Sequence, residues 1–224
     1  MSMLQLAVKK PRKAIRLASS IPVYGLTSFR FAADAIHKRN AVQDTWELMR
    51  LVAVARGLRP EAVVEIGSLF GGTLYCWSQV AAPNATLIGI DLPGGDFGGG
   101  PSEEQAEGFR TMLREGQQFD FLPQDSHQPA TVEAVRSLLG GKPIDFLFID
   151  GDHTYEGVSQ DFAMYSPLVR PGGVVAFHDI VPHTDPIYGV ARFWNELKRD
   201  YQHEEFVYSW SQVGLGIGVI RMPS

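Results

Sequence analysis

The stretch Ala62–Thr73 constrains the fold of this chain more than any other. Apolar residues at positions 62–64 and 66, followed by three glycines within six positions, indicate a buried parallel strand that turns sharply into a helix beginning near Thr73. Glycines let the backbone approach a bound molecule, and a helix N-terminus directs unpaired N–H groups toward it. The stretch therefore predicts a ligand site at the carboxyl end of the strand.

Glu65 and the glycine spacing narrow the kind of ligand. A carboxylate in a buried strand costs free energy unless it is paired or binds something. Glycines at 67, 71 and 72 lack the G-x-G-x-x-G spacing of a dinucleotide fold, and the turn lacks the phosphate-binding lysine of a P-loop. A tight turn without any ligand is the alternative interpretation.

Composition limits the class of protein. A length of 224 residues and 45% hydrophobic content predict one large α/β domain. The net charge of −5 argues against a nucleic-acid-binding surface, and no apolar run reaches the roughly 18 residues of a membrane span. The single cysteine, Cys76, excludes an intramolecular disulfide and a Cys-rich metal site; we expect it to be packed, in a cytoplasmic protein.

The N-terminal segment differs from the rest in charge. The first 33 residues contain no acid and six basic side chains, Lys9, Lys10, Arg12, Lys13, Arg16 and Arg30. We divide the chain into a basic arm with helices over residues 1–40 and one domain over residues 41–224. The arm is expected to be mobile or to form homo-oligomer contacts, with a transit-like peptide as the alternative. Apolar spacing over Asp34–Arg56 predicts helical packing that ends at Gly57.

Strands and helices alternate after the first glycine turn. The apolar runs predict strands at Ala85–Leu92, Phe119–Leu122, Ile144–Asp150 and Val174–Phe177, and a closing pair at His203–Ser209 and Gly214–Arg221. Parallel strands place their carboxyl ends at one edge of a sheet, where such folds bind ligands. Asp91 ends the second strand and is positioned to accept hydrogen bonds from ribose hydroxyls; a turn or capping aspartate is the alternative.

Acids and histidines gather after the fourth and fifth strands. Asp150, Asp152 and His153 follow the fourth strand, and His178 and Asp179 follow the fifth. With His183, three of the six histidines lie close behind these two strands. The pattern predicts a chemical centre at this edge, although a histidine can also simply hold a loop by hydrogen bonds.

A glycine-rich loop at Pro93–Pro101 carries five glycines between its two prolines. Ordering such a loop costs much conformational entropy, so we expect a mobile lid over the site. Ser102 and Gln105 behind it fit a capping box at the start of a helix.

Several of these motifs together resemble one family. Glu65–Gly71 matches the E/D-x-G-x-x-x-G motif of class I S-adenosylmethionine-dependent methyltransferases, and Asp150–Gly157, Pro171–Gly173 and His178–Asp179 resemble the branch with cephalosporin-biosynthesis and macrolide-sugar O-methyltransferases. The resemblance covers roughly residues 60–221. It implies a Rossmann-like, doubly wound seven-stranded α/β sheet of order 3-2-1-4-5-7-6, mostly parallel with an antiparallel last strand.

The resemblance also implies a function and a cofactor site. The function would be O-methylation of a small-molecule hydroxyl, on a natural product or a sugar. Asp125 and Ser126 would contact the adenine; an Asp-Ser pair that caps the following helix is the alternative. The cofactor-binding residues would be Glu65, Gly67, Ser68, Gly71, Thr73, Asp91, Asp125, Ser126 and Asp150.

Catalytic roles follow from the same resemblance. Asp150, His153 and His178 are the candidate catalytic residues, with His153 favoured as general base. Related enzymes place metal ligands at positions that match Asp150, His178 and Asp179. Where the catechol family has Asp-Asn after strand 5, this chain has His-Asp, which weakens the case for Mg²⁺ and suits a transition metal better. A metal-free site stays equally open.

Two other classes of function compete with this hypothesis. A nucleotide-cofactor oxidoreductase could use a similar sheet, but the glycine spacing and the acid-histidine cluster count against it. A non-catalytic binding protein would be expected to have lost its cofactor acids, whereas Glu65 and Asp91 are both present.

Overall fold

A computed structural model describes residues 11–94 and 100–224. Its helices are α1 (Pro11–Tyr24), α2 (Leu26–Arg39), α3 (Thr45–Leu58), α4 (Gly72–Val80), α5 (Glu103–Phe109), α6 (Pro129–Leu138), α7 (Tyr155–Tyr165) and α8 (Val190–Leu197). Its strands are β1 (Ala62–Ile66), β2 (Thr86–Ile90), β3 (Gln118–Leu122), β4 (Ile144–Ile149), β5 (Val169–Phe177), β6 (Gln202–Phe206) and β7 (Ile217–Arg221). Short 3₁₀ turns follow α5 and α7.

The strands form one seven-stranded sheet in the order β3-β2-β1-β4-β5-β7-β6. Neighbours from β3 to β5 pair in parallel, whereas β7 runs antiparallel to both β5 and β6. The predicted fold class and strand order are therefore confirmed. The central strands end at the same edge, since Ile66 pairs with Ile90 on one side and with Ile149 on the other.

Helices cover both faces of the sheet, which is why its central strands are mostly apolar, with Glu65 of β1 and Asp145 of β4 as exceptions. Val63, Phe146 and Val174 point into one core with α1 to α4. Val64 and Leu147 point into the opposite core, with α6 to α8. Cys76 is fully buried, as expected from the sequence.

The helical region before β1 is divided. Asn40 adopts a left-handed conformation with φ 56° and ends α2, and Asp44 caps α3 by accepting a hydrogen bond from the Trp46 N–H at 2.7 Å. The single helical stretch predicted over Asp34–Arg56 is thus wrong in its continuity, because Asn40 tolerates φ > 0 and the Asp44 carboxylate restarts the helix.

The described part of the N-terminal segment packs on the domain. Leu17 of α1 is buried in the core that α3 shares, and the Arg16 guanidinium lies 4.1 Å from the centre of the Trp46 ring while donating to the Tyr208 carbonyl. The boundary at residue 40 stays a prediction. Within residues 11–94 and 100–224, no helix is long and apolar enough to cross a membrane.

Several element ends differ from the predictions: β6 ends at Phe206 and not Ser209, and β7 begins at Ile217 and not Gly214. Helix α7 begins at Tyr155, because the Thr154 hydroxyl accepts a hydrogen bond from the Gly157 N–H at 2.9 Å and caps it. Strand β5 begins at Val169, ahead of the predicted Val174, beside an irregularity in its pairing with β4.

The capping box after the glycine-rich loop is confirmed. The Gln105 N–H donates to the Ser102 hydroxyl at 3.2 Å, and the Ser102 N–H donates to the Gln105 side chain at 2.9 Å. The lid predicted between Pro93 and Pro101 has its centre, residues 95–99, outside the described residues.

Gly67→Ala should be strongly destabilising. Gly67 has φ 85°, and a Cβ there would stand 2.0 Å from the Asp150 carbonyl oxygen. Left-handed strain alone costs about 1–2 kcal/mol, and the backbone clash adds to it. Urea unfolding should show a loss of more than about 2 kcal/mol or no folded protein.

Gly57→Ala is the matched control, because Gly57 lies in α3 with no atom within 4 Å of its Cβ position. It should be neutral or gain about 0.5–1 kcal/mol. Equal stability of the two variants would contradict the close approach of β1 and β4.

Candidate active site

A cavity of about 520 Å³ lies at the carboxyl ends of β1, β2, β4 and β5. Many predicted site residues line it: Gly67, Asp91, Asp125, Ser126, Asp150, His153, His178 and Asp179. Four predicted cofactor contacts, Glu65, Ser68, Gly71 and Thr73, do not line it. The turns after five strands therefore meet in one space, as the shared edge of the sheet requires.

Gly67 brings the first and fourth strands together at this edge. Its N–H donates to the Ile90 carbonyl at 2.8 Å, and the Asp150 N–H donates to the Ile66 carbonyl at 2.8 Å. The absence of a side chain at Gly67 leaves room for the Asp150 main chain. The glycine turn and the Asp150 carboxylate consequently belong to one wall of the cavity.

Asp91 supports the glycine turn from the end of β2. Its Oδ2 atom accepts a hydrogen bond from the Leu69 N–H at 2.7 Å. Burial raises the pKa of Asp91, against the lowering effect of the N–H groups of Leu69 and its neighbours. Gly100 packs on this carboxylate, since a Cβ at Gly100 would lie 2.6 Å from Asp91 Cγ. Asp91 thus joins the turn to the cavity.

Glu65 does not line the cavity, and its direct contact with the cofactor stays a prediction. It is fully buried and accepts hydrogen bonds from the Thr73 hydroxyl at 3.0 Å and from the Trp77 indole N–H. Burial raises the pKa of Glu65 well above its usual value. Alternation along β1 turns this side chain toward α4, so it fixes the helix behind the glycine turn.

The loop after β3 holds Asp125 in a tight turn. Its carboxylate accepts hydrogen bonds from the His127 N–H at 2.8 Å and from the Gln128 side chain at 2.9 Å. The Gln128 hydrogen bond lowers the pKa of Asp125. Asp125 therefore has the turn-stabilising role that the sequence left as an alternative, and it also lines the cavity.

His127 also lines the cavity, although it was not among the site residues predicted from the sequence. Its Nε2 lies 3.2 Å from Oδ1 of Asp161, a fully buried residue of α7. The hydrogen bond to Asp161 raises the pKa of His127. Three histidines flank strands β4 and β5 in the sequence, whereas His127 is isolated there, so no spacing pattern indicated it.

Asp150, His153, His178 and Asp179 form one polar cluster. His178 Nδ1 lies 3.0 Å from Asp150 Oδ1 and 3.5 Å from Asp179 Oδ1. His153 Nδ1 lies 3.0 Å from Asp179 Oδ2. Both carboxylates therefore contact His178, and Asp179 also orients His153.

The two histidines of the cluster have different electrostatic surroundings. Burial opposes protonation of His178, but the charges of Asp150 and Asp179 outweigh it and raise its pKa to about 9. Burial likewise opposes protonation of His153, and its hydrogen bond to Asp179 raises the pKa overall. For Asp179 the effect of burial is outweighed by His178 and His153, which lower its pKa. The raised pKa favours the protonated form of His178 at neutral pH, between the two carboxylates.

The geometry that suits a metal ion includes His153 where the sequence suggested His178. One ligand atom from each of Asp150, His153 and Asp179 lies within 4.8 Å of the other two. His178 already uses Nδ1 on the two carboxylates and lies outside this set of ligand atoms. His178 is thus better suited to balancing charge than to binding a cation.

Residues distant in sequence complete the cluster. The Gln43 side chain donates to Asp150 Oδ2 at 2.9 Å, the Leu215 N–H donates to Asp179 Oδ1 at 2.5 Å, and the Tyr188 ring lies 5.5 Å from the His153 ring. Their segments have no motif, and only the tertiary fold brings them here.

Comparison with known proteins agrees with this geometry. The family described as "Methyltransferase domain" matches residues 64–180, more than half of the chain. The chain belongs to this methyltransferase family. The matched range contains both glycine-turn and acid-histidine motifs on which the resemblance was based, and that resemblance is confirmed.

Curated relatives of this methyltransferase vary in length. It is 28% identical over 167 residues to Uncharacterized protein y4gI of Sinorhizobium fredii, covering 73% of this chain and 18% of that protein. It is 34% identical over 116 residues to Uncharacterized protein R132 of Acanthamoeba polyphaga mimivirus, covering 52% and 50%. It is 23% identical over 177 residues to the rhamnosyl O-methyltransferase of Mycobacterium leprae, covering 73% and 70%. The methyltransferase thus spans half or less of y4gI and R132.

Solved structures share the fold of this methyltransferase. The O-methyltransferase TomG from Streptomyces achromogenes, solved with S-adenosylmethionine, has a TM-score of 0.60 at 18% identity, covering 88% of this chain and 90% of that chain. MycE from the mycinamycin biosynthetic pathway, solved with Mg and S-adenosylhomocysteine, has a TM-score of 0.56 at 16% identity, covering 88% and 55%. At such identities the likeness concerns the fold.

Charged His178 should make the stability of the protein depend on pH. An unfolded histidine has a pKa of about 6.5, so between about pH 6.5 and the folded value of about 9 only the folded state holds this proton. Stability is fully present below that window and falls as pH rises through it. Urea unfolding in chelator at about pH 6 and pH 9.5 measures the loss.

His178→Gln provides the comparison, because glutamine does not titrate. The variant should be less stable than the wild type near pH 6 and should lose less stability on going to pH 9.5. The same loss in both proteins would show that His178 is neutral in the folded state.

Proposed function

We propose that this methyltransferase transfers the methyl group of S-adenosylmethionine to a hydroxyl of a small molecule, a natural product or a sugar. The observation that carries the proposal is that one cavity contains both the turns after β1 to β3 and the cluster of Asp150, His153, His178 and Asp179. The TomG and MycE complexes and the rhamnosyl O-methyltransferase agree with this chemistry.

The polar groups of the cavity fit S-adenosylmethionine. This cofactor has a sulfonium cation, a ribose diol and an adenine, which call for negative charge, hydroxyl acceptors and polar edge contacts. Asp150 and Asp91 supply the first two, and the Asp125–Ser126 turn supplies the third. Gly67 keeps the wall open for the amino-acid part of the cofactor, while Glu65 and Thr73 hold the turn from behind.

The residues around the acceptor would then position and deprotonate its hydroxyl. Methyl transfer is an in-line displacement, so orientation and removal of one proton are the main tasks of the protein. His153 is the proposed general base: Asp179 fixes its ring through Nδ1, so the proton would pass to Nε2. Protonated His178 keeps Asp150 and Asp179 in place.

A divalent cation is the alternative way to lower the pKa of the hydroxyl. Asp150, His153 and Asp179 would hold it, and their mixed oxygen and nitrogen donors suit a transition metal better than Mg²⁺. MycE was solved with Mg, so Mg²⁺ is tested beside the transition metals.

Other expectations stay predictions. These are a cytoplasmic location, the absence of nucleic-acid partners and a homo-oligomer contact through the N-terminal region. A nucleotide-cofactor oxidoreductase would bind NADH. A fluorescence titration with NADH therefore distinguishes that alternative from the proposed function.

Asp91→Asn should weaken the binding of S-adenosylhomocysteine. Asparagine can still accept the Leu69 N–H but removes the charged acceptor for the ribose, which is worth about 1.5–3 kcal/mol. Calorimetry measures the affinity. Asp200→Ala, an exposed aspartate after α8, is the control and should bind as the wild type does. Unchanged affinity of Asp91→Asn would remove Asp91 from the cofactor site.

Chelation separates the two chemical routes. If a metal is used, chelator should abolish methyl transfer, and Mg²⁺, Mn²⁺ or Zn²⁺ should restore it, while calorimetry shows cofactor binding intact. If no metal is used, activity should survive chelator, and His153→Ala should lower it by about 10²- to 10⁴-fold, the usual contribution of a general base. Full activity of both His153→Ala and His178→Ala in chelator would exclude a metal and a histidine base. The protein would then act only by positioning the cofactor and the acceptor.

A further inference from the structure

Three large apolar side chains are exposed on segments that contact the polar cluster at the acceptor end of the cavity. Val42 is 61% exposed and lines the cavity itself. Ile187 is 51% exposed and precedes Tyr188, which lines the cavity. Val213 is 54% exposed and precedes Gly214, whose Cβ position lies 3.5 Å from Asp179 Oδ1. We call Val42, Ile187 and Val213 the apolar rim.

Buried hydrogen bonds fix the segment of Val213. Fully buried Glu47 of α3 accepts hydrogen bonds from the Tyr208 N–H at 2.7 Å, the Gln212 side chain at 2.8 Å and the Gly216 N–H at 2.9 Å. A carboxylate with three donors from one loop holds both ends of that loop. Val213 therefore stands on an ordered support beside the cluster.

The segments of Ile187 and Val42 are also fixed to the cluster. The His183 and Tyr188 rings stack with centres 3.9 Å apart, and the Gly189 N–H donates to the His153 carbonyl at 2.8 Å. The Gly214 N–H donates to the Pro182 carbonyl at 3.3 Å, which joins the two loops. Gln43, next to Val42, donates to Asp150.

Exposed apolar side chains that are grouped beside a cavity are typical of ligand-binding surfaces. A ligand that covers them removes apolar surface from water, which favours binding. The apolar rim comes from three separate segments, and each of these segments also contacts Asp150, His153 or Asp179. Leu92, also exposed at the cavity, follows Asp91 and belongs to the cofactor end.

We propose that the methyl acceptor is amphipathic: its hydroxyl-bearing polar part enters the cluster, and an alkyl or aryl group attached to it rests on the apolar rim. This inference rests on the proposed function and specifies its substrate class. A purely polar acceptor, such as a free sugar, would leave the rim in water and gain nothing from it.

Calorimetry on the full chain with saturating S-adenosylhomocysteine tests the proposal. The probes are two matched pairs below their micelle concentrations, methyl and octyl α-L-rhamnopyranoside, and methyl and octyl gallate. In at least one pair the octyl compound should bind about 10-fold more tightly or better, since each buried methylene contributes a factor of about four.

The variant Ile187→Ser/Val213→Ser should lose that preference while its affinity for S-adenosylhomocysteine stays unchanged. Val23→Ser, which removes a 74%-exposed side chain of α1, is the control and should keep it. No preference for octyl compounds in either pair, or equal preference in the rim variant and the control, would overturn the proposal.

Two further outcomes are distinguishable. Wild-type protein that binds no S-adenosylhomocysteine would overturn the proposed function, and the amphipathic acceptor with it. A wild-type dimer that Ile187→Ser/Val213→Ser converts to a monomer in light scattering would show that a second copy covers the rim, which also overturns the proposal.

Discussion

The close approach of β1 and β4 at their carboxyl ends is the constraint on which the site depends. The Asp150 N–H donates to the Ile66 carbonyl, and Gly67 has no side chain that would separate the ends of β1 and β4. This contact puts an acid from the end of β4 against the glycine turn from the end of β1. Cofactor-binding backbone and acid-histidine chemistry therefore share one cavity, although more than 80 residues separate them in the sequence.

Three buried carboxylates connect separate segments of the chain around this cavity. Glu47, Glu65 and Asp161 are all fully buried, and burial raises the pKa of each. Each contacts groups from a different segment: the loop before β7 donates to Glu47, α4 donates to Glu65, and His127 Nε2 lies 3.2 Å from Asp161 Oδ1. The desolvation cost of a buried acid is offset only where several donors converge, so these acids fix segments that apolar packing alone would leave loosely placed.

The sequence predicted the parts of the site that follow from strand order along the chain. Asp91, Asp150, His153 and Asp179 were found because residues after parallel strands meet at one edge. The antiparallel last strand came from the family resemblance and not from the residues. Glu65 lies on the same side of β1 as Val63, beneath α4, and its predicted contact with the cofactor stays a prediction. Gln43 and Glu47 carry no local pattern, because their partners are brought to them only by the fold.

Charge balance in the cluster limits how the acceptor hydroxyl can react. Asp150 and Asp179 together with protonated His178 carry one net negative charge, which the sulfonium of bound S-adenosylmethionine would offset. Methyl transfer turns the sulfonium into a neutral thioether, so the site loses that positive charge, and in a buried site the remaining charges are weakly screened. The charge of the site stays constant when the proton of the acceptor hydroxyl passes to His153, whereas a bound cation would supply the positive charge in the other route. The raised pKa of His153 makes it a stronger proton acceptor, but it also keeps the imidazole protonated to higher pH, so the metal-free route gains as the solution becomes more alkaline.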